Sequence, residues 1–267
     1  MKIEVRDLTY TYKNGENRKT ALEEVNLTID NGVFYGIVGP NGCGKTTLLH
    51  LLAEIKQPTF GTIKFIGQRK TDAPAAMVFQ NFALMPWRYT RDNVGLGPEV
   101  KGESKPVYKR IANFFLKKVR LQGTQHLYPS QLSGGMKQRA GIGRALATDA
   151  DIILLDEPLA QIDPQARVIV RQELEQLWTK EKKTFVYVTH NLEESVLLCD
   201  KIAVFSSSPG RVLDIIDVPL ERPRSFDSMA DPRFAQTVKR IWKNLEVEVE
   251  RALKETVPST KGNNRKS

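Results

Sequence analysis

The segment that most limits how this 267-residue chain can fold is residues 39–46, which read GPNGCGKT. It fits the phosphate-loop pattern G-x-x-x-x-G-K-[ST] without a mismatch. Its three glycines let the main chain turn N–H groups toward an anion, and a following helix adds the positive end of its dipole. Mostly apolar residues 33–38 precede it, and the helical pattern of residues 45–55 follows it. The sequence therefore predicts a strand, a loop that cradles phosphate and a helix, in that order.

Two further runs predict buried parallel strands that end in polar side chains. Residues 152–155 and 185–188 are apolar nearly throughout, which is typical of strands covered on both faces. Asp156 and Glu157 follow the first run, where one carboxylate can hold Mg²⁺ and the next can polarise an attacking water. His190 stands near the end of the second run. If the two strands are neighbours, we expect His190 to reach the γ-phosphate of a bound nucleotide.

Alternating strand and helix patterns predict an α/β fold. The predicted strands are residues 2–12, 22–29, 33–38, 62–66, 75–79, 152–155, 185–188, 201–205 and 211–218. Helical patterns fill residues 45–55, 87–147 and 165–180, and Asp231 followed by Pro232 predicts the start of a last helix. The apolar face predicted for that helix consists of Phe234, Val238, Ile241, Trp242, Leu245 and Val249.

Composition excludes several broad classes of protein. With 40% hydrophobic and 27% charged residues the chain resembles an ordinary globular protein, and no apolar run approaches the roughly 20 residues of a membrane helix. Cys43 and Cys199 are too few for a disulfide scaffold, which indicates a reducing compartment. Residues 101–120 hold seven basic side chains and one acid, a large part of the net charge of +9. This excess is compatible with a solvated face or with attraction to a membrane or an acidic partner.

An octapeptide ahead of the acidic strand points to a family. Residues 132–139 read LSGGMKQR, which resembles the signature motif of the ABC-type ATPases. The other motifs of that family occur in the family's order between Tyr12 and about Arg211. The resemblance implies a P-loop NTPase core of the RecA-like type with an antiparallel β subdomain and an α-helical subdomain inserted at about residues 88–147. The implied ATPase domain covers residues 1–220. A loop and an amphipathic helix would occupy residues 221–256, and residues 257–267 would form a polar, mobile tail.

The resemblance implies a composite ATP site in a head-to-tail homodimer, in which each ATP lies between the phosphate loop of one subunit and the signature motif of the other. Glu157 is expected to be the general base, aided by His190 and Gln80, and Mg²⁺ is expected on Thr46, Gln80 and Asp156. Residues expected to bind ATP within one subunit are Tyr12, Gly39, Pro40, Asn41, Gly42, Cys43, Gly44, Lys45, Thr46 and Thr47. Those expected to reach ATP across the dimer are Ser133, Gly134, Gly135 and Met136.

Two of these expectations carry alternatives or departures from the family pattern. Tyr12 matches the aromatic position that stacks on adenine, but Tyr10 could stack instead, or Tyr12 could pack in the core. Asp163 matches the loop aspartate that crosses the dimer interface, although Gln161 and the isoleucine after it replace the family's usual small residue and Leu.

Residues 79–87 are rich in apolar and aromatic side chains, and they suggest which process ATP hydrolysis would drive. A buried hinge is one interpretation. The resemblance implies another, in which Phe82 and Trp87 anchor a short helix of a membrane permease. The chain is similar to the nitrate, sulfonate and taurine importer branch, which implies a place at the cytoplasmic face of the cell membrane, permease subunits and, indirectly, a solute-binding protein. No nucleic acid is expected as a partner. The alternatives are an importer ATPase for another small solute and, less favoured, a soluble ABC ATPase that acts on nucleic acid or ribosomes.

Overall fold

The computed structural model describes residues 1–68 and 73–256. Its strands are β1 (Lys2–Asn14), β2 (Asn17–Ile29), β3 (Phe34–Val38), β4 (Phe60–Ile66), β5 (Ala75–Val78), β6 (Ile152–Asp156), β7 (Thr184–Thr189), β8 (Lys201–Phe205) and β9 (Val212–Asp217). Its helices are α1 (Lys45–Leu52), α2 (Thr90–Val94), α3 (Leu96–Val100), α4 (Lys105–Lys118), α5 (Gly134–Ala147), α6 (Pro164–Glu181), α7 (Leu192–Leu198) and α8 (Pro232–Thr256). The tail predicted at residues 257–267 lies outside the described residues. No helix in the described ranges has both the length and the apolar character needed to cross a bilayer.

A six-stranded sheet in the order β5-β6-β7-β3-β8-β9 forms the centre of the molecule. The first five strands are parallel and β9 is antiparallel to β8. Every residue of β3, β6 and β7 is buried, as expected of strands covered on both faces. The predicted neighbourhood of the acidic strand and the strand before His190 is confirmed, since β6 and β7 pair in parallel. The carboxyl ends of these parallel strands therefore meet at one edge, where ligands bind in sheets of this kind.

The hydrophobic core lies on both faces of this sheet. Because side chains alternate along a strand, Ile153 and Leu155 pack with α5, α6 and α8 on one face, while Ile152 and Leu154 pack with α1 and the small sheet on the other. The two layers cover both faces of the sheet.

A separate three-stranded antiparallel sheet has the order β2-β1-β4. Strand β2 begins at Asn17, five residues before the predicted start at Leu22, because the hairpin ladder continues to Asn14 and Asn17. Residues 17–19 are exposed on both faces, so no alternation of apolar and polar residues marks them in the sequence. The longer ladder pairs Lys19 with Tyr12.

Helices α2 to α5 form an insertion between β5 and β6, at residues 90–147, which we call the helical insertion. Part of its attachment to the rest of the molecule is ionic. Lys118 Nζ lies 2.5 Å from Glu181, and Arg120 lies 3.2 Å from Glu173, both partners being on α6. Exposed ion pairs of this kind stabilise a structure by less than about 1 kcal/mol each, so they hold the insertion only weakly.

The last helix, α8, corrects one prediction. Phe234, Ile241 and Leu245 are buried as expected, but Trp242 is 49% exposed. Successive residues on a helix are turned by about 100°, so the residue after Ile241 leaves the narrow stripe that meets the core. The side chain of Val249 lies outside the described part of the structure.

Candidate functional site

The phosphate loop leaves β3 and enters α1 through glycines that no other residue could replace without strain. Gly44 has a φ of 100°, and a Cβ there would lie 2.6 Å from the Ala21 carbonyl oxygen. Gly42 has a φ of 78°, and a Cβ there would meet nothing within 4 Å. The loop is therefore packed tightly at Gly44 and open at Gly42, as a cradle for an anion requires.

Segments far apart in sequence hold this loop in place. Gly210 N–H donates to the Ala21 carbonyl at 2.9 Å, and Glu23 N–H donates to the Gly210 carbonyl at 3.0 Å. A Cβ on Gly210 would lie 2.0 Å from the Cys43 carbonyl oxygen, so the backbones are in direct contact. We call this arrangement of Ala21, Glu23 and Gly210 against the loop the clasp.

Lys45 is buried, with 5% of its surface exposed, and its ammonium group is held by neutral groups. Lys45 Nζ donates to the main-chain carbonyls of Gly39 and Pro40, both at 2.8 Å. Within residues 1–68 and 73–256 it forms no ion pair with a carboxylate. A buried ammonium without a counter-ion is costly, and a bound anionic phosphate would offset that cost.

A hydroxyl and a carboxylate meet beside the loop. Thr46 Oγ1 donates to Asp156 Oδ1 at 3.0 Å. Burial raises the pKa of Asp156, although the hydrogen bond from Thr46 acts in the opposite direction. Oxygen donors of this kind are the ligands that Mg²⁺ prefers, and a buried carboxylate that is reluctant to ionise favours a nearby cation. The residues present therefore fit a Mg²⁺ ion bound together with a nucleotide phosphate.

Cys43 lies beneath the loop, with its Sγ 4.0 Å from Lys45 Nζ. Its side chain is fully buried, and burial raises the pKa of its thiol. A Cβ on Gly39 would lie 2.9 Å from Cys43 Sγ, so the sulfur fills the space beneath the loop.

Glu157 and His190 lie together at the ends of adjacent strands. His190 Nδ1 is 2.9 Å from Glu157 Oε2, within hydrogen-bond distance. Glu157 has a left-handed φ of 44°, and its N–H donates to the Val188 carbonyl at 3.0 Å. A non-glycine residue in this conformation is under strain, and such strain often accompanies a functional side chain. The parallel pairing of β6 and β7 brings these two side chains together.

A cavity of about 360 Å³ opens in front of the phosphate loop. Tyr12 lines it and is 39% exposed, and the Tyr12 and Thr47 hydroxyls form a hydrogen bond of 2.9 Å. Tyr10 packs edge-on against Tyr12, with ring centroids 4.9 Å apart, and does not line the cavity. The structure thus places Tyr12 at the cavity and not in the core. The full lining is Tyr12, Lys19, Ala21, Asn41, Gly42, Gly44, Lys45, Thr46, Thr47, Glu157 and Ser208.

Three lining residues, Lys19, Ala21 and Ser208, were missed by the sequence analysis. Lys19 reaches the cavity because it pairs with Tyr12 in the hairpin. The turn at Gly15 was the signal that could have revealed this pairing, since a short hairpin turn fixes the register of both strands. Ser208 arrives with the segment that carries Gly210, and no local pattern in the sequence marks it.

The remaining expected residues lie outside this cavity in a single chain. Gln80 is exposed just beyond β5. Ser133 caps helix α5, where its Oγ accepts the Met136 N–H at 3.3 Å, and Gly134 and Gly135 begin that helix. Asp163 caps α6 by accepting the Ala166 N–H at 2.9 Å. The residues expected at the phosphate loop are thus brought together, and the signature residues are not joined to them.

The aromatic loop expected to meet a permease is partly exposed. Trp87 is 74% exposed, which the buried-hinge interpretation does not explain, whereas Phe82 is half-buried. Phe82 and Ala83 have left-handed φ values of 61° and 46°. Arg144 on α5 donates to both of their carbonyls, at 3.0 Å to Phe82, and so fixes the loop to the helical insertion.

Comparisons with known proteins agree with this geometry. The sequence profile described as ABC transporter matches residues 22–160. An uncharacterized ABC transporter ATP-binding protein of Methanocaldococcus jannaschii is 42% identical over 256 residues, 95% of each chain. The taurine import ATP-binding protein TauB of Escherichia coli K12 is 42% identical, over 78% of this chain and 82% of TauB. The nitrate import ATP-binding protein NrtD of Synechococcus elongatus is 34% identical over 85% of each chain.

A solved structure extends the likeness to three dimensions. The ATP-binding cassette MJ0796, solved as a dimer in a post-hydrolysis state with ADP and Pi, superimposes with a TM-score of 0.71. It is 31% identical, and the match covers 82% of this chain and all of MJ0796. Profile, relatives and fold all point the same way, and the chain belongs to the ABC transporter family as an ATP-binding ATPase.

Proposed function

We propose that the chain is the ATP-hydrolysing subunit of an importer and drives uptake of a solute through a membrane permease. One observation carries the proposal. The buried Lys45 ammonium, the Thr46–Asp156 pair and the Glu157–His190 pair meet at the carboxyl edge of one sheet. This set has a place for phosphate, a place for a metal ion and a carboxylate beside them, which are the parts that phosphoryl transfer to water needs.

The proposed chemistry follows from what each side chain can do. Glu157 accepts the proton of the attacking water, and His190, at hydrogen-bond distance from Glu157, orients that carboxylate. Lys45 and the N–H groups of the loop stabilise negative charge that develops on the phosphate oxygens. Mg²⁺ held by Thr46 and Asp156 would neutralise phosphate charge when bound.

We further propose that a second copy of the chain completes the site. Ser133 Oγ accepts the Met136 N–H, so its hydroxyl hydrogen remains able to donate to an anion. The N-terminus of the 14-residue helix α5 adds exposed N–H groups beside it. These anion-binding groups and Asp163 do not line the ATP cavity of their own chain. A head-to-tail dimer would bring them to the cavity of the partner.

Docking to a permease has separate support. A second cavity, of about 610 Å³, lies beside the aromatic loop and has a mainly apolar lining from β5, α3, α5 and the loop residues Phe79 and Ala83. Trp87 is exposed on the same loop. Large exposed aromatics next to an apolar groove are typical of protein interfaces. We propose that a permease helix docks here, which would place the chain at the cytoplasmic face of the membrane.

The solute is proposed to be a small anion of the nitrate, sulfonate or taurine type. The names of TauB and NrtD support this class, as those relatives are described as taurine and nitrate import proteins. The solute would be selected by a permease and a solute-binding protein, so the present side chains do not contact it.

The test is the variant Glu157→Gln. It is expected to bind Mg·ATP, to hydrolyse it at least about 100-fold more slowly than the unsubstituted chain, and to form dimers with ATP. Turnover is measured by phosphate release and mass by light scattering, with and without ATP. Lys45→Ala is the control, since it should lose ATP binding itself. Equal turnover in Glu157→Gln, or a chain that remains monomeric with ATP, would contradict the proposal.

A further inference from the structure

One fully buried side-chain amide lacks a hydrogen-bond partner in the part of the chain that the structure describes. Gln138 on α5 is 0% exposed, and neither its Oε1 nor its Nε2 has a hydrogen-bond partner among the residues that the structure describes. A buried amide without hydrogen bonds costs stability, and native structures rarely retain one without a reason.

The position of Gln138 on its helix shows what surrounds it. Residues three and four apart share a helix face, so Gly134, Gln138 and Gly141 face the same way. A Cβ on Gly134 would lie 3.3 Å from the Gln161 carbonyl oxygen. A Cβ on Gly141 would lie 3.7 Å from the Phe82 carbonyl oxygen. Gln138 therefore lies between two irregular segments, the one that ends at Asp163 and the aromatic loop.

Two main-chain carbonyls near Gln138, those of Phe82 and Gln161, could accept a hydrogen bond from its amide. They differ in whether another group already donates to them. Phe82 O already accepts a hydrogen bond from Arg144. Gln161 O accepts none from the residues in the described ranges. Long side chains on a helix lean toward its N-terminus, so the Gln138 amide extends toward Gly134 and hence toward Gln161. The free carbonyl and the free amide lie on the same side of α5.

We infer that Gln138 is a positioning residue whose Nε2 donates to the Gln161 carbonyl when the chain closes around ATP. The inference rests on the proposed function, because it requires an ATP-dependent closure. The segment between Glu157 and Asp163 is anchored by Leu159 and Ile162, which pack with Val170 on α6. A bond at Gln161 would tie this segment to the helix that Ser133 begins. Asp163 and the signature helix would then move as one unit.

The first test compares Gln138→Met with the unsubstituted chain. Met keeps the length and burial of Gln but removes the unpaired polar atoms. The melting temperature of the nucleotide-free chain is expected to rise by about 3 °C or more, because an unsatisfied buried group is removed. At the same time kcat for ATP is expected to fall about tenfold with KM changed less than twofold, the pattern for an interaction made only after binding. Gln236→Met, at an exposed position of α8, is the matched control and should change neither quantity.

Each result decides the inference. A lower melting temperature in Gln138→Met would show that the amide is already paired at rest and would overturn it. A higher melting temperature with unchanged kcat would overturn it too, since the amide would then have no part in turnover. If the unsubstituted chain hydrolysed no ATP, the proposed function would fail first, and the inference with it.

A second measurement does not depend on turnover. In the Glu157→Gln background, hydrogen exchange of the amides at residues 159–163 is expected to slow when Mg·ATP is added. Adding Gln138→Met to that background should abolish most of the slowing while ATP binding persists. Equal slowing in both proteins would overturn the inference, whereas loss of ATP binding in Glu157→Gln would count against the proposed function.

Discussion

At the scale of single residues, the site contains ionisable side chains in buried positions, where a charge lowers the stability of the fold. Lys45 is buried with two carbonyl oxygens and the Cys43 sulfur around its ammonium group, and Asp156 is 4% exposed. Neither residue is placed well for a protein that only has to fold, because burying an ion is unfavourable. Both are placed well for a protein that binds a nucleotide phosphate and a metal ion. The sequence predicted a role in nucleotide binding for both residues, and the structure places both beside the phosphate loop.

Asp156 gives a prediction about pH. Burial raises the pKa of this carboxyl above its usual value of 3.8, so the unfolded chain ionises first as the pH rises. The stability that Asp156 contributes therefore falls between pH 3.8 and its raised pKa and stays low at neutral pH. Asp156→Asn is expected to raise the melting temperature of the nucleotide-free chain at pH 7, by an amount that shrinks toward pH 4. Scanning calorimetry at both pH values measures the two gains.

The control for this experiment is Asp217→Asn, whose carboxylate is 81% exposed at the edge of the large sheet. It should show no comparable gain at neutral pH. A gain for Asp156→Asn that was as large at pH 4 as at pH 7 would contradict the argument from burial.

At the scale of elements, the sequence predicted the strands and helices that periodic or continuous apolar residues mark. It did not predict features that depend on the pairing or packing of one element against another. Strands β6 and β7 were predicted correctly because a short, continuous apolar run is typical of a parallel strand that is covered on both faces. The start of β2 was wrong because residues 17–19 are exposed and are ordered by the opposite strand alone. Trp242 was assigned to the buried face of α8 from hydrophobicity, yet its neighbour Ile241 takes the core position. A single sequence shows which residues are apolar, but not which of two adjacent apolar residues points inward.

These neighbours on α8 give a matched prediction. Ile241→Ala is expected to lower the free energy of unfolding by about 2–5 kcal/mol, because it leaves a cavity at a fully buried position. Trp242→Gln is expected to lower it by less than about 1 kcal/mol, because nearly half of the indole is already in solvent. Urea unfolding followed by far-UV circular dichroism measures both. Equal losses in the two variants would show that the indole is needed for packing.

At the scale of the whole molecule, the sheet collects residues that are far apart in sequence. The phosphate loop, the Asp156–Glu157 pair and His190 lie at the carboxyl ends of three different strands and share one edge. The sequence could predict this because parallel strands bring their carboxyl ends to the same edge of a sheet. It could not predict Ser208, which reaches the cavity through a segment whose position depends on the clasp. Contacts between distant segments leave no periodic signal in either partner.

Transport is the property that belongs to this scale. Trp87→Ala is expected to leave ATP turnover of the isolated chain within about twofold, because Trp87 does not line the ATP cavity. In the assembled importer, uptake is expected to fall at least about tenfold, because truncating an exposed aromatic anchor weakens an interface strongly. Uptake of a labelled solute into vesicles that contain the complex measures the loss. Trp242→Ala, another exposed tryptophan, is the control and should keep uptake; normal uptake in Trp87→Ala would exclude Trp87 as an anchor.

The clasp has a consequence for the order in which the molecule matures on the ribosome. Residues 21–23 and the phosphate loop leave the exit tunnel early, but their shape depends on backbone contacts with Gly210, some 166 positions beyond Gly44. A nascent chain that has not yet exposed Gly210 holds every residue of the phosphate loop and lacks the support beneath it. The nascent chain should therefore become able to bind nucleotide only late in synthesis. A graft of the phosphate loop alone into another scaffold should bind nucleotide poorly unless residues 21–23 and the segment at Gly210 are grafted with it.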